Sequence, residues 1–328
     1  MQQNINNDFI LIKMATYAIY SYEIQEGNKS LFYKDTGKKA IDMANEIVSN
    51  VLKDDFIIVG KKKKQDQRLL IRHFIGRSDV FTWELCNVKD ITHIEGHEKT
   101  PYETHPGCYV IIDNRPNVCQ IAIEKNSAFG PDTDKVVKYI NRTFKEHLSE
   151  YGLRIVIKRK YQAKKFKELI LERISKDNDS VKKVVWEFPN PDKVKGIDAT
   201  KQMKGRLEGL RLFLQASNAL KGKLTLTGSK GSPMDVDDDT IEDWAQIIAL
   251  SAQNNYKLSY YFYKSPMVSF KDVAYALATI DNKDIRDFEE GHTAFHGEDT
   301  TFELISSLNT IRKEIADYDH EKIVDNGE

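Results

Sequence analysis

The chain has 328 residues, 40% hydrophobic and 30% charged, with a net charge of −1; this excludes a disordered chain and suits one large core or two ordinary ones, with two domains expected. Met1 to Asp8 is polar, without a basic patch ahead of an apolar run, and no apolar stretch approaches the roughly 20 residues that cross a bilayer, so no signal peptide and no membrane partner are expected. Cys86, Cys108 and Cys119 lack CxxC spacing, fit neither a disulfide framework nor a zinc site, and point to a reducing, cytoplasmic compartment.

Residues 1–104 read as a β-rich N-terminal domain. Phe9 to Tyr22, Phe56 to Val59, Leu69 to Phe74 and Val80 to Leu85 are β-branched or aromatic runs between glycines and charged turns. One helix interrupts them at Lys38 to Leu52, where Ile41, Ala44, Ile47 and Val51 recur at helical spacing. Pro101, His105, Pro106 and Gly107 read as a linker.

From 105 to 265 strands alternate with helices. A hairpin, Tyr109 to Ile112 and Val118 to Ile123, precedes a helix at Asp134 to Glu150 that stops at Gly152. Then follow a strand at Leu153 to Ile157, a helix at Ala163 to Ile174, and a strand at Val184 to Phe188 closed by Pro189-Asn190-Pro191-Asp192. Met203, Leu207, Leu210 and Leu214 mark a helix, Leu224 to Leu226 a strand, Ile241, Trp244 and Ile248 a helix, and Leu258 to Tyr263 a strand. This alternation predicts an α/β domain of two or three layers within a mixed α+β chain. Residues 266–328 read as an acidic C-terminal helical region. Asp239 with Glu242, and Thr300 with Glu303, have the spacing of helix-capping pairs.

This layout, with its Pro189-Asn190-Pro191-Asp192 turn and the QNNYKLSYYFY strand ending at Tyr263, resembles a family of uncharacterised bacterial proteins found near mobile elements and anti-phage genes. The resemblance covers residues 105–265. It implies a defence context and brings no catalytic residues.

The near-zero net charge hides a strong pattern. Residues 1–130 carry 17 Lys/Arg and 17 Asp/Glu, residues 131–230 carry 24 and 12, and residues 231–328 carry 8 and 21. Such asymmetry suits an anion-binding middle, or two surfaces that attract each other, as in a homodimer. The densest basic block comprises Arg154, Lys158, Arg159, Lys160, Lys164, Lys165 and Lys167, at the end of a strand and the start of a helix, where backbone N–H groups add to the attraction for phosphates. Lys61 to Lys64 form a second basic run. Tyr260 to Tyr263 place aromatic rings on both faces of a strand, which fits a strand buried between two layers better than a stacking platform for bases.

Other constellations carry weaker chemistry. Asp235, Asp237, Asp238 and Asp239 could hold a divalent cation, but Asp239 serves equally as a helix cap. Asp113, at the end of an apolar strand, has the position of a carboxylate in a ribonuclease-H-like metal nuclease. His93 with His97, and His292 with His296, lack HExxH context; Arg142 with His147 matches a ribonuclease spacing on the wrong fold; Gly228 and Gly231 lack the rest of a phosphate-loop motif. The leading expectation is a cytoplasmic, non-enzymatic protein, without cofactor or metal, that engages DNA, RNA or another anionic partner through the basic block. A metal-dependent nuclease using Asp113, and an interaction subunit whose acidic third docks a protein partner, are the alternatives.

Overall fold

The computed structural model describes residues 14–27, 37–53, 59–62, 65–68, 70–87, 89–95, 98–130, 133–190, 208–236, 256–296 and 299–324, with 239–241, 244, 245 and 248. It is a mixed α/β protein that divides into two compact units: residues 1–157 with 277–311, and residues 158–276 with 312–328.

Unit 1 is built on one large sheet. β1 (Met14–Glu26) leads to a 3-10 turn and α1 (Ala44–Lys53), then to a hairpin of β2 (Val59–Lys62) and β3 (Gln65–Arg68). Next come β4 (Leu70–Arg77), β5 (Val80–Cys86), a hairpin of β6 (Lys89–Glu95) and β7 (Glu98–Thr104), β8 (Gly107–Asp113), β9 (Gln120–Glu124), α2 (Asp134–Leu148) and β10 (Leu153–Arg159). The sheet order is β10-β1-β9-β8-β5-β4, and β15 (Leu277–Asp281) also pairs with β1. Alternation sends Phe81, Trp83, Leu85, Val110, Ile112 and Ile121 to one face, where they meet Val48 and Leu52 of α1 and Ile140 and Phe144 of α2. On the opposite face Tyr17, Ile19 and Ile111 are buried, and Thr82 donates to Glu289 of α6 (Asn282–Glu290) at 3.3 Å. Phe288 of α6 and Leu304 and Leu308 of α7 (Glu303–Val324) are buried on this side of the chain's first unit. Helices therefore flank the sheet.

The division departs from boundaries at 104/105 and 265/266. β8 pairs with β5 from Val80–Asp113 to Cys86–Gly107, so residues on both sides of 104 share one sheet. β15 returns to β1 with Met14 opposite Asp281 and Ala18 opposite Leu277. The expected linker at 101 is also a strand: Pro101 lies in β7 opposite Thr92, in a two-stranded ribbon where a residue without an N–H is tolerated. Phe9 to Lys13, Phe56 to Ile58, and Met203 to Leu207 lie outside the described residues.

Unit 2 has a four-stranded antiparallel sheet in the order β12-β11-β13-β14. It comprises α3 (Ala163–Ser175), β11 (Val181–Pro189), α4 (Glu208–Ala216), β12 (Lys221–Thr227), helical residues within 239–248, β13 (Leu258–Phe262), β14 (Val268–Ser269) and the single turn α5 (Phe270–Val273). Val184, Trp186 and Phe188 of β11 share a core with Leu258 and Tyr260 of β13, Phe166 of α3, Leu214 of α4, Trp244 and Phe270. Trp186 stacks on Trp244 at 5.0 Å and 11°, with Phe188 at 4.5 Å, each such pair adding about 1 kcal/mol to plain burial. Gly222 is required here, since a Cβ would fall 2.5 Å from the Phe188 ring.

The ends of the inserted stretch are tied together. Tyr161 and Tyr275 form a β-bridge; the Gln162 N–H donates to Ala274 O at 2.7 Å and the Ala276 N–H to Lys160 O at 3.0 Å. Arg159 lies over the Tyr275 ring at 3.7 Å, and Tyr161 stacks on Phe270 at 5.5 Å.

A buried carboxylate fixes the turn after β13. Asp179 accepts from the backbone N–H groups of Ser180 (2.7 Å), Lys264 (3.1 Å) and Ser265 (2.7 Å). Burial alone would raise its pKa, but these bonds and the Ser265 side chain outweigh it and hold the carboxyl below the usual range. A depressed folded-state pKa stabilises the protein above the unfolded value, about 3.9, and that contribution fades as pH falls toward the folded value. Asp179→Ala should cost about 2–3 kcal/mol at neutral pH and flatten the acid limb of a stability–pH profile measured by urea unfolding; an acid limb identical to the parent's would remove Asp179 from this role.

Candidate nucleic-acid interface

The basic block is divided between the two units, Arg154 in unit 1 and the other six residues in unit 2. Arg154, exposed on β10, donates to Gln25 at 2.9 Å within the sheet of unit 1. Lys158, Arg159 and Lys160 are half-buried at the paired ends of unit 2, where Arg159 is engaged with Tyr275. Lys164 and Lys165 are exposed in the first turn of α3, with Lys167 half-buried beyond them. The N-cap of α3, Gln162, makes no side-chain cap bond, and the first turn has no acidic residue, so nothing acidic in that turn offsets the positive end of the helix dipole. Carboxylates do approach from elsewhere. Lys164 lies 3.9 Å from Glu168, and Glu314 of α7 joins Glu168 in opposing the fall in the Lys165 pKa that partial burial produces.

A second basic surface lies on the unit 2 sheet, on the face turned away from the core. Register sets its rows. Thr227, Lys183 and Tyr261 lie side by side across β12, β11 and β13; Thr225, Val185, Ser259 and Ser269 form the next row; Glu187 is opposite Lys223 and its N–H donates to Lys257 O. Lys221, Lys223, Thr225, Thr227 and Lys257 are exposed. Lys221 reaches Glu187 at 3.3 Å, a surface contact worth under about 1 kcal/mol. Lys183 lies over the Tyr261 ring at 4.1 Å. Positive charge is dense enough here to act on a neighbour: burial lowers the Lys271 pKa, Lys257 lowers it further, and Glu187 opposes both.

The aromatic run is therefore not enclosed between two layers. Tyr260 and Phe262 are buried in the core, while Tyr261 and Tyr263 point to the other side and are half-exposed. Sequence reasoning passed over Lys183, Lys221, Lys223 and Lys257, although the alternation Lys221-Gly222-Lys223-Leu224-Thr225-Leu226-Thr227 is the period-2 signature of a strand with one polar face.

The carboxylates take structural positions. Asp113 is 1% exposed and gripped by Arg115, whose Nε donates at 2.8 Å and Nη2 at 2.6 Å; the same Nη2 donates to Asn309 at 2.8 Å. Beside it, Asn114 accepts from the Tyr22 hydroxyl at 2.5 Å and donates to Ser49 Oγ at 2.8 Å, and Ser49 donates to Asp79 at 2.8 Å. This network locks the β4–β5 turn, where Asp79 has φ 57°, to the β8–β9 turn. Among the described residues no group of three His, Cys, Asp or Glu side chains could hold a metal ion. Asp237 and Asp238 lie outside the described residues, as do Lys63, Lys64 and His97. His292 faces Asp287 and Glu290 at the exposed end of α6.

The acidic third is divided between the units: residues 277–311 fall in unit 1, and 231–276 with 312–328 in unit 2. On α6, Asp281 caps the helix by accepting from the Lys283 N–H at 2.8 Å. Burial raises the Asp284 pKa, with Asp281, Glu303 and Asp287 adding to the rise and a hydrogen bond from Ser307 opposing it.

Comparison with family models, curated proteins and solved structures finds no match to this chain.

Asp113→Asn leaves the Arg115 guanidinium without its charge partner and should cost about 2–4 kcal/mol, somewhat under the full loss for a buried pair because Arg115 keeps partial contact with solvent. Urea unfolding with and without Mg²⁺ checks this. An unchanged midpoint together with loss of a Mg²⁺-dependent cleavage activity would make Asp113 catalytic instead.

Proposed function

We propose that this protein is a non-enzymatic nucleic-acid-binding protein and that unit 2 holds the phosphate backbone. One observation carries the reading: on the face of β12-β11-β13 turned away from the core, Lys221, Lys223 and Lys257 gather around one carboxylate, Glu187, and about 13 Å along β11 Lys183 lies over the half-exposed Tyr261 ring. Lysines on adjacent strands with about 4.8 Å between strands concentrate charge over a surface that a chain of phosphates can track. Lys164 and Lys165 at the N-terminal turn of α3 add a further positive site.

A nuclease reading requires carboxylates clustered for metal binding, and the grip of Arg115 on Asp113 favours a structural role for that residue. Phosphate contacts alone give binding with little sequence preference and a steep dependence on salt. Replacing Lys183, Lys221, Lys223 and Lys257 together by Ala should lower affinity for a labelled 20-nucleotide strand by about 100-fold at low salt. The slope of log affinity against log salt should become shallower by about 3, the value for four phosphate contacts on a single strand. Alanine at Lys158, Arg159, Lys160, Lys164 and Lys165 should weaken binding less. If the sheet-face variant binds as the parent does, with the same salt slope, the proposal is wrong.

A further inference from the structure

We infer that the nucleic acid held on this face is single-stranded and that an unpaired base stacks on Tyr261. This rests on the reading of the face as a phosphate-binding surface and adds the ligand's strandedness and the residue that reads it. Tyr261 is the ring of β13 that points away from the core, directly across from Lys183 and on the same face as Ser259 two residues before it. The row beside it holds Thr225, Val185, Ser259 and Ser269, none longer than valine, with Ser259 buried, so the ring stands at the edge of a strip of short side chains that ends at the Glu187, Lys223 and Lys257 row. From Tyr261 to Lys257 is four residues along one strand, about 13 Å at strand rise. A ring at one end and ammonium groups at the other match a ligand that offers bases and phosphates on the same short segment.

A duplex cannot use this arrangement. Its bases are stacked on one another, and its major groove admits a helix or a two-stranded ribbon rather than the face of a four-stranded sheet. Single strands are held on such faces by aromatic side chains under splayed bases, with basic residues along the backbone. The Lys183 ammonium, 4.1 Å from the Tyr261 ring centroid, does not block the site. A cation over an exposed ring is held more weakly than a stacked base, so a base displaces the ammonium, which is then released toward the neighbouring phosphate.

The test uses the full-length protein with a labelled single-stranded DNA, a single-stranded RNA and a duplex of equal length, at two salt concentrations. Tyr261→Ala should weaken binding to either single strand about tenfold or more and leave its salt slope unchanged, because no phosphate contact is lost. Tyr261→Phe keeps the ring and should stay within about twofold of the parent, which separates stacking from any loss of folding. Single-strand affinity equal to the parent's in Tyr261→Ala, alongside a large loss in the four-lysine variant, would overturn the stacking inference and leave the phosphate-binding reading standing. Tighter binding of the duplex than of either strand overturns the inference too. Absence of binding to all three probes overturns both.

Discussion

β1 is 13 residues long, and that length lets one strand take several neighbours. Tyr17 to Ser21 pair with β9 on one edge, while Met14 to Ala18 pair with β15 on the other. β10 also pairs with β1, its start fixed near the far end of that strand by the Gly27 N–H donating to Gly152 O at 2.7 Å and by Arg154 donating to Gln25. The chain can therefore leave the sheet after β10 and rejoin it at β15, with residues 158–276 inserted between two strands that share a neighbour. Such an insertion costs little more for a long segment than for a short one, since loop-closure entropy rises by only about 0.6 kcal/mol per doubling of length. What it demands is that the two ends of the insert lie close together, and the Tyr161–Tyr275 bridge with its two flanking hydrogen bonds meets that demand.

The basic run of the sequence is divided where the chain passes from one unit to the other. Arg154 belongs to the sheet of unit 1, Arg159 spends its guanidinium on the Tyr275 ring, and Lys164 and Lys165 begin a helix near Glu168 and Glu314. Conversely, Lys183, Lys221, Lys223 and Lys257 come from three separate stretches of chain and are brought together by strand register alone. Contiguity in sequence and contiguity in space are separate properties for lysines on a strand, because only every second residue shares a face.

Much of the architecture was legible because it follows local periodicity. The hairpin of β8 and β9, α2 with its Gly152 stop at φ 65°, α3, β11 and β13 all follow from hydrophobic spacing and turn residues. β15 and α6 were not legible. Leu277 to Asp281 is short, and α6 buries only Ile285 and Phe288 between charged residues, so its apolar stripe is too thin to stand out. The capping pair at Thr300 and Glu303 places the helix start two residues early, since Asp299–Thr301 pairs with Ala294–His296 as a strand and the helix starts at Glu303. Tyr260 to Tyr263 were read as enclosed because the sequence shows aromatic residues on both faces and cannot show that the described helices of unit 2 cover one of them.

Charge summed along the chain has the same weakness. The net −13 of residues 231–328 is shared between the two units. Its larger described part lies on α6 and the start of α7, in the outer layer of unit 1, where Asp281 caps a helix and Asp284 is pushed toward its neutral form by burial. Residues 158–276 taken alone carry 22 Lys/Arg and 15 Asp/Glu. An approaching anion responds to charge within roughly a Debye length, about 8 Å at physiological salt, which is less than the diameter of one helix with its side chains. Exposed carboxylates on the helices of unit 2, Glu168 on α3 among them, are screened by the solvent they face. Among the described residues, the potential that a ligand meets on the sheet face is set by the lysines of β11, β12 and the residue before β13, and by Glu187.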